Sequence, residues 1–125
     1  MRALLQLNSL SDRPTAVLCS NDMTAIGVMR EAYEQDIKIP DDLSVVGFDD
    51  VHLAEFTIPP LTTVRMSQMD LATIAFHALL NEIAREQDSH EHSEYELNTS
   101  LVIRRSTALA PRRGRGVGFL PCLSR

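Results

Sequence analysis

Long apolar runs, lysine and cysteine are scarce in this sequence of 125 residues. No apolar stretch approaches the roughly 20 residues that a membrane-spanning helix needs, so no membrane partner is expected. The opening Met1-Arg2-Ala3-Leu4-Leu5-Gln6-Leu7 has one charge, no long hydrophobic segment and no small-residue cleavage site. It predicts no signal peptide. The two cysteines sit apart in character, Cys19 in an apolar run and Cys122 in a basic tail. A disulfide framework is not expected, and a reducing cytoplasm fits better. The single lysine, Lys38, comes with no GxxxxGK or GxGxxG, so no phosphate cradle is predicted. Ser20 and Cys19 have no placed histidine, which leaves no nucleophile–base pair and no catalytic residue to nominate. The expectation is a protein that is not an enzyme and needs no cofactor.

Acidic charge is missing from the end of the chain. All 17 acidic residues lie at or before Glu96, whereas Arg112, Arg113, Arg115 and Arg125 fall in the last fourteen positions. Residues 1–111 therefore carry 8 basic against 17 acidic side chains. Such a body is a poor grip for nucleic acid, where Lys and Arg must neutralise phosphates. The Gly/Arg-rich stretch 112–125 has no periodicity and reads as a disordered tail beyond one domain of residues 1–111. Hydrophobic residues make up 44% of the chain, which is incompatible with disorder throughout.

Ser44-Val45-Val46-Gly47-Phe48-Asp49-Asp50 organises the rest. A continuous apolar run that ends in two carboxylates reads as a buried parallel strand delivering polar groups at its C-terminal end. Ligands of open α/β sheets bind outside those ends, so Asp49 is a candidate for ligand contact. A cap or turn bond is the structural alternative for Asp49 or Asp50. Thr15–Ser20 reads as a second buried strand ending at Asn21-Asp22, either of which can cap the helix predicted from about Met23 to Gln35. Strand, helix and strand in that order predict a right-handed βαβ unit with a parallel pair, hence the α/β class.

Residues 1–10 suggest a helix, Val51–Phe56 a helical turn, and Leu61–Arg65 a β-branched strand. Ser67 and Asp70 fit a capping box. Ala72, Ala75, Phe76, Leu79, Leu80 and Ile83 then follow the i, i+3, i+4, i+7 rule of an amphipathic helix running to about Arg85. Tyr95-Glu96-Leu97 and Leu101–Arg104 look like two short strands around Asn98-Thr99-Ser100. His90-Glu91-His92 matches no strong metal pattern and reads as solvated loop. Asp49-Asp50 lacks the further acidic ligands that Mg²⁺ chemistry wants, so no metal site is predicted.

Four blocks carry a family resemblance. Pro14-Thr15-Ala16-Val17 with Asn21-Asp22-Met23-Thr24-Ala25-Ile26-Gly27 resembles the "PTA…ND..A.G" signature of the LacI/GalR transcriptional regulators. Ile39–Asp50 resembles "vPeDvSVVGFDD", Pro59–Arg65 "PPLTTVRQ", and Leu101–Thr107 "LVVReST". The resemblance implies one partial lobe of a type I periplasmic-binding-protein-like domain, a parallel-sheet sandwich. It further implies a small-molecule effector, sugar or nucleoside-like, contacted by Asn21 and Asp49, and a homodimer with Ile26 and Met29 in its interface. DNA would be reached only through a helix-turn-helix that these residues do not supply. Three departures stand out: Asp36 where the family has a helix-ending Gly, and Met66-Ser67 for Gln-Pro. The helix after Ser67 is expected to show an exposed or re-docked apolar face. Two other readings are a sugar-binding module of a transport system and an inert fragment with an incomplete ligand site.

Overall fold

The computed structural model describes residue 6, residues 10–11, 13–84 and 94–110. The expectations for His90-Glu91-His92, for the tail 112–125 and for most of the first ten residues fall outside that range. The chain divides into two compact units, Met1–Arg65 with Leu101–Arg125, and Met66–Ser100.

The first unit is built on strands β1 (Ala16–Leu18), β2 (Ser44–Phe48) and β3 (Thr62–Met66). With β4 (Thr99–Val102) they form a sheet of order β1-β2-β3-β4. β2 pairs parallel with both neighbours, Val17 opposite Val45 and Gly47 opposite Thr63. Helix α1 (Asp22–Glu34) joins β1 to β2 and completes the expected βαβ unit. It lays Ala25, Met29 and Ala32 on a core of Val17, Cys19, Leu43, Val45, Ala54 and Leu61. Two alanines on that face bring the helix close to the sheet, and spacing of three and four residues keeps them on one side.

α1 begins where Asn21 Oδ1 accepts the Thr24 backbone N–H at 2.8 Å. It ends in a Schellman motif: Ile37 N donates to Ala32 O at 2.9 Å and Asp36 N to Tyr33 O at 3.3 Å. Asp36 sits at φ 56°, so an aspartate fills the left-handed site usually given to glycine. A short 3₁₀ turn at His52–Glu55 follows β2, as the helical reading of 51–56 expected.

Residues 104–108 fasten the N-terminal ends of β2 and β3. Ser106 Oγ, fully buried, accepts the Thr62 N–H at 2.8 Å and donates to Val45 O at 2.6 Å. Its own carbonyl accepts from Val45 N at 2.8 Å, and Ala108 N donates to Ser44 Oγ at 3.1 Å.

In the second unit, helix α2 (Gln68–Ala84) opens with Ser67 Oγ accepting the Asp70 N–H at 3.2 Å, one half of the expected capping box. No α2 residue is buried, and Phe76, Leu79 and Ile83 are more than half exposed. One strand was misplaced by sequence. Tyr95–Leu97 is irregular, and β4 runs through Thr99-Ser100, where a turn was expected. Alternating β-formers around Tyr95 gave the strand signal, but strand identity is decided by pairing, which propensity does not report. No helix among the described residues is long and apolar enough to cross a membrane.

Candidate functional site

The C-terminal ends of β1 and β2 place Asn21 and Asp49 on the same edge of one parallel sheet, the edge at which α/β folds take ligands. Behind them lies a buried carboxyl group. Asp22 is fully buried; its Oδ1 accepts from Thr63 Oγ1 at 2.6 Å and its Oδ2 from Val51 N at 2.8 Å. One side chain thus ties the start of α1 to β3 and to the loop leaving β2. Gly47 makes this possible. A β-carbon there would overlap Asp22 Oδ1 and come within 3.0 Å of Leu61 Cδ2.

The loop leaving β2 has an unusual backbone. Asp49 and Asp50 both lie at positive φ, 104° and 52°. Non-glycine residues avoid this region, and each such position costs about 1–3 kcal/mol that neighbouring contacts must offset. Those contacts are present. Asp49 N donates to Val64 O at 2.9 Å, and Asp50 N to Thr63 Oγ1 at 3.4 Å. Asp49 uses its backbone here, and its carboxylate makes no hydrogen bond or ion pair among the described residues.

Asp50 does the opposite. Its carboxylate, 8% exposed, accepts from Arg104 Nη2 at 2.7 Å and from Arg65 Nε at 2.6 Å. Arg104 is itself 12% exposed and also donates to Leu61 O at 2.9 Å and Glu55 Oε1 at 3.2 Å. Burial by itself pushes the Asp50 carboxyl up, but hydrogen bonds from Arg65 and Arg104, with their charges, hold it below the usual 3.8. A carboxyl depressed in the folded state contributes stability above its unfolded value, and that contribution is lost as pH falls through the folded one. Melting temperatures measured from pH 6 to pH 2.5 are therefore expected to fall less for Asp50→Asn than for the parent chain. Parallel pH profiles would refute the assignment.

Residues 1–107 match the family model for the periplasmic binding protein-like domain. The chain belongs to the periplasmic-binding-protein-like domain family. Its similarity to transcription regulators is close: 42% identity over 101 residues to the HTH-type transcriptional repressor PurR of Mannheimia succiniciproducens. Identity is 47% over 102 residues to the HTH-type transcriptional regulator MalR of Streptomyces coelicolor. Each alignment takes in 81% of this chain; the chain spans 30% of the first relative's length and 29% of the second's. Among solved structures, a LacI-type regulator of Bifidobacterium animalis subsp. lactis superposes with TM-score 0.69 at 33% identity, over 86% of this chain and 38% of that one. A LacI family regulator of Lactobacillus casei with bound sucrose gives 0.61 at 38% identity, over 82% of this chain and 37% of that one. A CelR–cellobiose complex gives 0.63 at 27% identity, over 74% of this chain and 28% of that one. The chain is thus a partial periplasmic-binding-protein-like domain, homologous to the effector-binding part of LacI-type repressors.

Within this domain Asn21 has a structural task as the α1 cap, while its amide nitrogen has no partner among the described residues. Met29 is 7% exposed in the domain's own core, and Ile26 is half-buried against it. The outward positions of α1 are Met23, Gly27, Arg30, Tyr33 and Glu34. Among the described residues no group of three His, Cys, Asp or Glu side chains could hold a metal ion. Sequence reasoning read Asp22 only as a cap, and Thr63 and Arg104 only as members of strands and family-like blocks. The usable signal for Asp22 was Gly47, because a glycine inside a β-branched strand marks a close approach.

Proposed function

We propose that this chain is the effector-sensing part of a LacI-type transcription regulator, binding a sugar or nucleoside-like molecule at the sheet edge through Asn21 and Asp49. The observation that carries the reading is Asp49: a strained residue at the end of the central strand, its carboxylate uncommitted among the described residues. Strain of this kind clusters at ligand sites. An acceptor-only carboxylate suits paired sugar hydroxyls, and the Asn21 amide nitrogen can donate beside it. Sucrose and cellobiose bound to similar proteins support the class of ligand. In this reading the protein is a cytoplasmic, non-enzymatic homodimer of residues 1–111 followed by a tail. The α1 helix carrying Ile26 and Met29 contributes to the dimer. DNA contact belongs to a helix-turn-helix of the kind its relatives are named for.

Thermal unfolding with millimolar sucrose, glucose, cellobiose and nucleosides tests the proposal. A ligand at ten times its Kd is expected to stabilise the domain by about 1.4 kcal/mol, several degrees of melting temperature. Asp49→Gly is expected to remove that response while raising the ligand-free stability. Relief of positive-φ strain, about 1–3 kcal/mol, exceeds the roughly 0.5–1 kcal/mol entropy cost of glycine. A ligand shift that survives Asp49→Gly would overturn the site, and no shift with any of these molecules would overturn the effector class.

A further inference from the structure

The loop Asp49-Asp50-Val51 holds two consecutive positive-φ aspartates, and something must keep them there. Three backbone N–H groups are tied to neighbouring elements: Asp49 to Val64 O, Asp50 to Thr63 Oγ1 and Val51 to Asp22 Oδ2. Of these the Asp50 bond is the longest, at 3.4 Å. The middle residue of the loop is therefore held chiefly by its side chain. Arg65 and Arg104 share that carboxylate, one on each oxygen, but they are not equivalent. Arg65 is 57% exposed, whereas Arg104 is 12% exposed and is itself fixed by Leu61 O and by its backbone N–H on Thr62 Oγ1 at 3.0 Å. A charge pair with a buried, pre-oriented guanidinium is the more rigid of the two anchors.

We propose that Arg104 is a positioning residue for the ligand site: by gripping Asp50 it keeps the adjoining Asp49 in the backbone conformation that ligand binding uses. The proposal deepens the effector reading and rests on it for the ligand. Arg104 lies 54 residues beyond Asp50, so the segment that fastens β2 and β3 at one end of the sheet also sets the loop at the other. The occupancy of the Asp50–Arg104 pair then governs how much of the population has a competent site, and apparent affinity falls with that fraction.

The experiment compares the parent chain with Arg104→Gln and Asp50→Asn by amide hydrogen exchange and by titration with sucrose, glucose and cellobiose. In the ligand-free protein both variants are expected to speed exchange at Asp49 and Val51 at least tenfold, with Val45 and Val46 in β2 unchanged. Whichever sugar binds the parent chain is expected to bind at least tenfold more weakly to both variants. A purely structural arginine would speed exchange in β2 as well, and undiminished sugar binding by both variants would mean that Asp49 keeps its place without the pair; either result overturns the proposal. Unchanged exchange at Asp49 and Val51 overturns it too. Should none of the sugars bind the parent chain, the choice of ligand is what fails, and the exchange rates still decide the role of Arg104.

Discussion

Gly47→Ala is expected to lower the unfolding free energy by about 3 kcal/mol, on the order of 15 °C in melting temperature for a domain of this size. The new methyl group needs the space that Asp22 Oδ1 occupies. Asp22 cannot withdraw without giving up Thr63 Oγ1 or Val51 N, and no solvent reaches it. Overpacking alone costs about 1–3 kcal/mol, and a buried donor left unpaired adds about 1–3 kcal/mol. A double-mutant cycle separates this account from a loss of strand propensity. Asp22→Ala is destabilising by itself, since it orphans two donors, but it vacates the space the methyl needs. In that background Gly47→Ala is expected to cost less than about 1 kcal/mol. Urea unfolding of the four chains measures the cycle. Equal costs of Gly47→Ala in both backgrounds would show that Asp22 is not what the methyl meets.

Ser106→Ala is the second large effect, expected at about 2–4 kcal/mol. The hydroxyl serves two strands at once, accepting from Thr62 N and donating to Val45 O, and Ser106, Val45 and Thr62 are all buried. Alanine keeps the volume and leaves one donor and one acceptor without water or protein to pair with. The loss is expected in chemical denaturation as a lower midpoint with an unchanged slope. A loss under about 1 kcal/mol would mean that Thr62 N and Val45 O close directly on each other.

What sequence could foresee here was local. The run of β2 announced a buried strand, and Asn21-Asp22 announced a helix start. The spacing from Ala72 to Ile83 announced α2 because a helix writes its face within one segment. Asp36 at a left-handed position was foreseeable, since helix endings draw on a small set of conformations. The interior of the site was not foreseeable in the same way. Asp22 meets Thr63 across 41 residues and Val51 across 29, and Asp50 meets Arg104 across 54. Nothing in the spacing of these residues reports that they converge. Only Gly47 left a trace, a missing side chain where a strand would ordinarily have one. Asn21 carried both of its readings at once: the atom that caps the helix is the amide oxygen, and the nitrogen is the half proposed for the ligand.

The clasp made by Ser106 also has a consequence for how the protein comes into being. Thr62 must wait for 44 more residues to be synthesised, and Val45 for 61, before their partner exists. At about 5–20 residues per second the first of those intervals lasts roughly 2–9 s. For that time the starts of β2 and β3 keep unpaired polar backbone groups, Thr62 N and Val45 O among them, with which a strand of another chain can pair. A nascent chain of this protein is thus most vulnerable to wrong association in the seconds before its own closing stitch leaves the ribosome.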